Sequence, residues 1–333
     1  MTGERLGEQK GEDMGEIREV LVVGAGTMGH GFAQIFAMNH LSVWLVDENE
    51  DLLKRARGWI MDNLNYMVEL GEIGRERVQP TLSHIQFTTD LKQAASKADY
   101  VLEAVNENLD LKRKLFQQLG KWTRPHVVLA TNTSSFDINE LSFVTAHPER
   151  VIGTHWFHPP QITPCVEVIP SDITSPEAVD IATTLMRSIG KVPTRCKSTP
   201  GFVANRIQMA MAAEALAIVE AGLATPEEVD QIVRTSFGFR LSAYGPFQIC
   251  DQAGADTYYS IYEYLYGKLK REQMKPSPLL RKQVEQGRLG LKTSHGFYEY
   301  NEGAAERMKR ERDRKLYARL RLFREEQKKE KKI

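Results

Sequence analysis

The chain has only three cysteines among its 333 residues, and they lie far apart. Cys165, Cys196 and Cys250 form no CxxC pair and no Cys/His ligand spacing, so the sequence predicts reduced thiols, no metal site and a cytoplasmic protein. No apolar run is long enough to span a bilayer. Residues 1–16 are polar and acidic and lack the pattern of a signal peptide, so they are expected to form a flexible leader.

The sequence also has no excess of positive or negative charge. Lysine plus arginine and aspartate plus glutamate number 44 each, so neither nucleic acid nor a membrane is expected as a partner. The exception is local, because residues 302–333 are strongly charged and net basic. Leu316, Leu320 and Phe323 recur there at helical spacing, which predicts a helix packed against the protein body or a dimer partner.

Short β-branched runs alternate with amphipathic stretches from residue 19 to residue 198. This alternation predicts βαβ units around a parallel sheet. After Ser198 the pattern becomes helical, and Thr225, Pro226 and Glu228 form the signature of a capping box at one helix start. The predicted fold is an α/β domain over residues 17–199, an all-helical domain over 200–301 and a charged helical tail over 302–333.

The first predicted strand runs directly into the glycine motif GAGTMG, residues 24–29. Gly24 would make the tight turn, Gly26 would let the backbone approach a pyrophosphate, and Gly29 would let helix and strand pack closely. With Thr27 and Met28, these glycines form the candidate cofactor loop.

Asp47 ends the second predicted strand, where a carboxylate accepts hydrogen bonds from ribose hydroxyl groups and repels a 2′-phosphate. This placement favours NAD over NADP. The alternative is a capping aspartate on an ordinary βα turn.

The stretch GTHWFHPP, residues 153–160, holds two histidines three residues apart. A metal pair at this spacing would need a helix, which the prolines and the preceding strand-like run disfavour. His155 lies at the end of a predicted strand, and an imidazole with an ordinary pKa near ~6.5 suits proton transfer at neutral pH. Glu167 follows a proline-rich turn and could fix the tautomer of His155; alternatively, it is a surface carboxylate on an edge strand.

Several motifs in one order resemble the L-3-hydroxyacyl-CoA dehydrogenase family over about residues 17–301. They are GAGTMG, VLEAVNENLDLKRKLF, TNTSS, GTHWFHPP followed by VEVI, TPGFVANR and GLKTSHGFYEY. The resemblance implies an N-terminal NAD-binding domain of the Rossmann type. It also implies a helical C-terminal domain that commonly forms a homodimer, and a substrate cleft between the two domains.

The resemblance implies catalytic roles for four residues. His155 matches the catalytic base and Glu167 the acid that orients it. Ser134 and Asn205 match polar contacts to the reacting part of the substrate. On the residues alone, Ser134 and Ser135 could also cap the following helix, and Asn205 could be an exposed helical asparagine.

The resemblance also implies cofactor contacts at Glu107, Lys112 and His158. His158 departs from the family pattern, which usually has an asparagine in contact with the nicotinamide or substrate region. Imidazole could act as a different polar contact, favour an anionic substrate or make a poorer site.

A second departure concerns CoA. Leu70, flanked by Glu69 and Glu72, stands where acyl-CoA members carry a lysine that helps to hold the nucleotide. Losing this cation weakens the case for a CoA thioester. The following residues could replace it: Lys54, Arg55, Arg57 and Arg75.

Three hypotheses follow. The first is NAD-dependent oxidation of a short-chain L-3-hydroxyacyl-CoA. The second is the same reaction on a free 3-hydroxy acid or related alcohol, as in the gulonate, carnitine and hydroxymethyl-pyridine dehydrogenases that the HPPQITP stretch resembles. The third is an NAD-binding module without catalytic turnover.

Overall fold

The computed structural model describes residues 17–330, so the predicted leader, residues 1–16, lies outside the described residues, as do residues 331–333. The chain divides into two compact units, the first ending at Ala210 and the second beginning at Met211. The first is a mainly parallel α/β unit and the second is helical. The predicted fold class is therefore confirmed.

The first unit is built on an eight-stranded sheet. Its strands are β1 (Glu19–Val23), β2 (Ser42–Val46), β3 (Ile85–Thr88), β4 (Tyr100–Glu103), β5 (Val128–Thr131), β6 (Val151–Trp156), β7 (Cys165–Pro170) and β8 (Val192–Arg195). Their spatial order is β3-β2-β1-β4-β5-β6-β7-β8. All neighbouring strands are parallel except β6 and β7. The first six follow the order of a doubly wound dinucleotide-binding sheet.

Helices connect these strands. They are α1 (Gly29–Met38), α2 (Glu50–Glu69), α3 (Val78–Ser83), α4 (Leu91–Lys97), α5 (Leu109–Trp122), α6 (Asn139–Ser142) and α7 (Pro176–Ser188), with short 3-10 helices at Arg75–Arg77 and Pro148–Arg150. Successive side chains of a strand point to opposite faces, so β1 contributes to two cores. Val20 packs in the cluster that contains Phe32, whereas Leu21 packs in the cluster that contains Phe116. Helices thus cover both faces of the sheet.

The apolar pattern predicts a helix from residue 201, but the observed helix begins a few residues later. Phe202 has a left-handed backbone with φ of 48°, and α8 then runs from Ala204 to Glu220. It is followed by α9 (Pro226–Thr235), α10 (Phe237–Leu241), α11 (Pro246–Ala253), α12 (Ala255–Leu269), α13 (Pro278–Glu285) and α14 (Ala304–Glu330), with 3-10 turns at Glu272–Met274 and Leu291–Thr293. The predicted capping box is confirmed, because Thr225 and Glu228 cap α9 reciprocally.

The second unit has a small core of its own around Cys250, Ala255 and Leu280. Tyr258, Tyr259 and Tyr262 pack against this core. The carboxylate of the fully buried Asp251 accepts hydrogen bonds from the backbone of Phe297 and Tyr298 and from the hydroxyl of Tyr300. These bonds tie the segment after α13 to α11.

The tail forms the long helix α14. Phe323 packs edge-on to Phe239 at 6.4 Å between ring centroids, and Arg319 donates to the hydroxyl of Ser242. One face of α14 therefore lies against helices of its own unit. Across residues 17–330, none of the helices has the length and apolar character needed to cross a membrane.

Candidate active site

The antiparallel pairing of β6 and β7 brings His155 directly opposite Glu167. The imidazole Nδ1–H donates to Glu167 Oε2 at 2.8 Å, and both side chains are almost fully buried. The proline-containing loop 157–164 joins the two strands, as the spacing predicted. Glu167 is therefore not a surface carboxylate.

Glu167 is fixed by more than the histidine. Its second oxygen, Oε1, accepts hydrogen bonds from the backbone amides of Val203 and Ala204, at 3.1 and 2.9 Å. Burial alone would raise the pKa of Glu167, but the hydrogen bonds from His155 and the two amides outweigh it and lower the pKa. Phe202 also stacks obliquely on the His155 ring. The carboxylate thus stays ionised at neutral pH and keeps accepting the Nδ1 proton.

Ser134 lies on the other side of the imidazole. Its Oγ is 3.1 Å from His155 Nε2, and Asn205 Nδ2 donates to the Ser134 carbonyl at 3.2 Å. The suggestion that Ser134 and Ser135 cap the next helix is wrong, because the turn that follows is held by the hydroxyl of Thr133 and α6 begins only at Asn139. The structure brings His155, Ser134 and Asn205 together.

Glu107 anchors the loop that carries Ser134. Its Oε1 accepts hydrogen bonds from Thr133 Oγ1, the Ser134 amide and Ser135 Oγ, at 2.5, 3.0 and 2.8 Å. Burial by itself would raise the pKa of Glu107, but the two hydroxyl donors and the charge of Lys112 lower it. The carboxylate remains partly exposed, so it is both an anchor and an accessible acceptor.

Lys112 lies behind Glu107. The ammonium is 1% exposed and lies 2.6 Å from the buried Glu103 and 3.3 Å from Glu107. Thr131 Oγ1 and the Val105 amide complete the hydrogen bonds of Glu103. The residues alone did not indicate Glu103, although a glutamate inside the apolar strand YVLEAV was an available signal. Lys112 therefore faces two carboxylates rather than open space.

The glycine loop has the geometry that a pyrophosphate requires. Gly24 has φ of +102°, and a side chain at Gly29 would overlap the Gly24 carbonyl oxygen. A Cβ at Gly26 would meet no atom within 4 Å, so a ligand can approach this backbone closely. Met28 precedes the start of α1 without a side-chain cap, and the first turn of α1 holds no acid. No side chain caps this helix start, so an anion can bind there, although the His30 amide already donates to the Gly26 carbonyl.

Asp47 lies at the end of β2, beside this loop. Its Oδ2 accepts the Ala25 amide at 2.9 Å and its Oδ1 accepts the Asn49 amide at 3.0 Å. Asn49, not Asp47, caps the following helix α2. Asp47 is therefore not the cap of α2, although its Oδ1 holds the βα turn. Its half-buried carboxylate lies at the end of β2, the position of the ribose-binding acid in dinucleotide-binding folds.

His158 is not brought into the hydrogen-bonded cluster. It is exposed, precedes a cis peptide bond to Pro159, and its ring has no hydrogen bond to another residue within 17–330. The part of the chain that the structure describes also holds no group of three or more histidine, cysteine, aspartate or glutamate residues able to bind a metal ion.

The glycine loop follows β1 and His155 ends β6, and parallel strands direct these ends to one edge of the sheet. A dinucleotide-binding edge that also presents a buried, carboxylate-oriented imidazole is the arrangement of an NAD-dependent dehydrogenase. Comparison with known families narrows this class. Residues 19–199 match the NAD-binding domain of 3-hydroxyacyl-CoA dehydrogenase, and residues 201–300 match its C-terminal domain. The chain belongs to the 3-hydroxyacyl-CoA dehydrogenase family of oxidoreductases, which argues against the third hypothesis, an NAD-binding module without catalytic turnover.

Individual relatives differ in the substrates for which they are named. A probable 3-hydroxybutyryl-CoA dehydrogenase of Deinococcus radiodurans is 39% identical over 84% of this chain and 99% of its own length. A 5-formyl-3-hydroxy-2-methylpyridine 4-carboxylate 5-dehydrogenase of Mesorhizobium japonicum is 32% identical over 92% of this chain and 98% of its own. The crystal structure of a 3-hydroxyacyl-CoA dehydrogenase from Archaeoglobus fulgidus aligns with a TM-score of 0.74, at 31% identity over 90% of this chain and 98% of that one.

Proposed function

We propose that the chain oxidises a short-chain L-3-hydroxyacyl-CoA, such as 3-hydroxybutyryl-CoA, to the 3-oxo compound. The observation that carries this proposal is the buried pair of His155 and Glu167, with Ser134 on the free side of the ring. The similarity to the Deinococcus radiodurans relative supports the substrate class.

His155 is the base in this proposal. Because Glu167 accepts the Nδ1 proton, the neutral ring has its lone pair on Nε2, where the Ser134 hydroxyl can donate to it. A substrate hydroxyl that reaches Nε2 gives up its proton there, and Glu167 stabilises the imidazolium that forms. In the reverse reaction His155 returns the proton. Asn205 and Glu107 hold Ser134 in place from its carbonyl and its amide.

The residues around the glycine loop fit NAD. The open space at Gly26 and the uncapped start of α1 would hold the pyrophosphate, and Asp47 would accept the ribose hydroxyl groups. Glu107 is an accessible acceptor near the reacting end, and Lys112 supports it from behind. When bound, NAD supplies the hydride acceptor for the carbinol carbon.

Replacing Asp47 by alanine is expected to reduce the preference for NAD over NADP by roughly 10- to 100-fold, because the loss removes both a ribose acceptor and the repulsion of a 2′-phosphate. Dissociation constants for NADH and NADPH, measured by the fluorescence of the reduced nicotinamide, would show the change. Asp51→Ala is the control, since Asp51 is exposed and pairs only with Lys54 among the described residues. Unchanged cofactor selectivity would show that the ribose contact lies elsewhere.

A second candidate is the same oxidation of a free 3-hydroxy acid or a related alcohol. A cavity of about 260 Å³ adjoins the glycine loop and is lined by Thr27, His30, Trp59, Asp62 and Asn63. Burial lowers the pKa of His30, so this lining contains a carboxylate and no cation at neutral pH. Such a wall disfavours the phosphates of CoA, and within the second candidate it favours an uncharged alcohol or an acid that also carries a cation, such as carnitine, over a purely anionic acid.

The end of α2 supports the second candidate as well. Glu69, Leu70 and Glu72 are all exposed there. Of the four cations that could replace the missing lysine, Lys54 pairs with Asp51, and Arg55 and Arg57 each lie 5.8 Å from an aromatic ring centroid. Arg75 is exposed on the 3-10 helix Arg75–Arg77 and remains available. The similarity to the Mesorhizobium japonicum relative is consistent with this alternative.

An assay of NADH formation from NAD⁺ distinguishes the two candidates. L-3-hydroxybutyryl-CoA is compared with free 3-hydroxy acids that include carnitine and gulonate. Turnover of the thioester alone supports the first candidate. Turnover of a free acid alone supports the second. The truncated thioester L-3-hydroxybutyryl-pantetheine adds a sharper comparison, since it lacks the nucleotide phosphates that the missing lysine would hold.

We also propose that the chain acts as a homodimer through its helical part. α8 is largely apolar, yet none of its residues is fully buried, and Leu216 is 64% exposed. A second copy of the chain would cover this apolar surface. Leu216→Glu is expected to convert the dimer to monomer at micromolar concentration, as measured by light scattering. Gln231→Glu, which adds the same charge at an exposed polar position, should leave the dimer intact; a dimeric Leu216→Glu variant would refute this surface.

A further inference from the structure

Lys191 is a buried lysine that neither the glycine loop nor the histidine pair uses. It lies between α7 and β8 and is 6% exposed. Its ammonium donates to the carbonyl oxygens of Pro160 and Thr163, at 2.5 and 2.7 Å. The same Nζ lies 5.2 Å from the centroid of the Trp156 ring. Both carbonyls belong to the loop 157–164, and Trp156 immediately precedes it.

No carboxylate within residues 17–330 forms an ion pair with Lys191, although lysines are almost never buried without one. Burial lowers the pKa of Lys191 to about 8, which shows that the site disfavours the charge. The two carbonyl oxygens and the aromatic ring stabilise the ammonium in place of a counter-ion. The buried ammonium therefore holds the backbone at Pro160 and Thr163, whose carbonyl oxygens accept its hydrogen bonds.

The loop that Lys191 holds connects the parts of the active site. Its first residues continue from the strand of His155, and its last lead into the strand of Glu167. Within the loop, the Thr163 amide donates to the Pro159 carbonyl at 2.9 Å. The loop also rests on α1: a Cβ added to Gly31 would lie 2.5 Å from Pro160 Cγ. Its position thus depends on both the cofactor helix and the ammonium.

The loop carries His158, the residue that departs from the family pattern. Pro160 and Gln161, which follow His158 in the loop, lie against Gly31, the residue after His30 in α1, so the loop adjoins the part of α1 that carries His30. His30 lines the cavity beside the glycine loop. A displacement of the loop would therefore move His158 relative to this cavity, while the strand pairing of His155 with Glu167 would remain.

We propose that Lys191 is a positioning residue that clamps the loop 157–164 and thereby places His158 against the part of the site that receives the non-reacting end of the substrate. This proposal rests on the proposed function for the identity of the reaction. It assigns Lys191 an effect on substrate affinity rather than on the proton transfer itself.

The test compares Lys191→Met with Lys92→Met, which removes an exposed lysine of α4. In Lys191→Met, KM for the hydroxyacyl substrate is expected to rise roughly 10- to 100-fold, the range for losing hydrogen bonds to a charged group. Its kcat and its dissociation constant for NAD should stay close to those of the wild type. Amide hydrogen exchange in peptides covering 157–164 should accelerate by a similar factor, without any substrate present.

Lys191→Arg retains the cation and its donors, so it should keep the loop protected and KM nearer to the wild-type value. A fall in kcat with unchanged KM in Lys191→Met would overturn the proposal, as would loop exchange no faster than in Lys92→Met. Equal loop exchange in the Arg and Met variants would show that the cation is not what holds the loop. The exchange measurement does not depend on turnover. It therefore tests whether Lys191 holds the loop even if the wild-type protein oxidises none of the compounds tried.

Discussion

The variant His155→Gln is expected to lose roughly 10²- to 10⁴-fold in kcat, the contribution of a positioned general base. Glutamine keeps a polar side chain of similar reach, so Glu167 still has a hydrogen-bond donor and the strand pairing is preserved. It cannot take up the hydroxyl proton, because an amide is not basic at neutral pH. The loss should therefore fall on the chemical step.

Affinity for NAD separates this explanation from simple damage to the fold. The glycine loop and Asp47 are on other strands than His155, so the dissociation constant for NAD should be unchanged in His155→Gln. His126→Gln is the matched control, because His126 is exposed on the loop before β5. Near-normal turnover of His155→Gln with its best substrate would remove His155 from the role of base.

Replacing Lys112 by methionine is expected to lower the free energy of unfolding by about 3–5 kcal/mol, the cost of leaving one member of a buried ion pair without its partner. The member left behind is Glu103, which is fully buried. The hydroxyl of Thr131 and the amide of Val105 would still reach its oxygens, but neither carries a charge. Glu107 would also lose the cation that supports it.

Urea unfolding of Lys112→Met beside Lys114→Met measures this effect, since Lys114 is an exposed lysine of the same helix. The double variant Glu103→Gln/Lys112→Met should recover a large part of the stability, because it removes the unpaired charge. A loss no greater than that of Lys114→Met would mean that the pair of Glu103 and Lys112 contributes little to folding. Failure of the double variant to recover would assign the loss to packing instead.

The parts of the site that the sequence predicted are those set by short-range pattern. The glycine motif lies between a strand and a helix, where the turn requires Gly24 and the close approach of the Gly24 carbonyl requires Gly29. The proline-rich turn and the alternation of β7 favoured a contact of His155 with Glu167, and the family resemblance assigned its role, but a surface carboxylate remained the alternative. Strand register then places them opposite each other.

The parts that the sequence did not predict depend on contacts between distant segments. The network of Glu103 and Lys112 is completed by Thr131 on a neighbouring strand, and no local pattern encodes that neighbour. In the sequence, Lys191 looks like an ordinary polar residue at the end of a helix. It is buried only because the distant loop 157–164 folds over it. The short strand β3 is another example: IQFT shows no sustained alternation, and its pairing with β2 defines it.

The pairing of β6 with β7 has a consequence for how such a site can change over time. Base and orienting acid sit on adjacent strands and are fixed by backbone register, whereas the connecting loop is free of that constraint. Substitutions such as the histidine at position 158 can therefore accumulate in the loop without disturbing the proton-transfer pair. Under the role proposed for Lys191, the proton-transfer pair and the substrate contact lie in separate, consecutive segments of one hairpin, so the loop is the segment to randomise when a new substrate is sought.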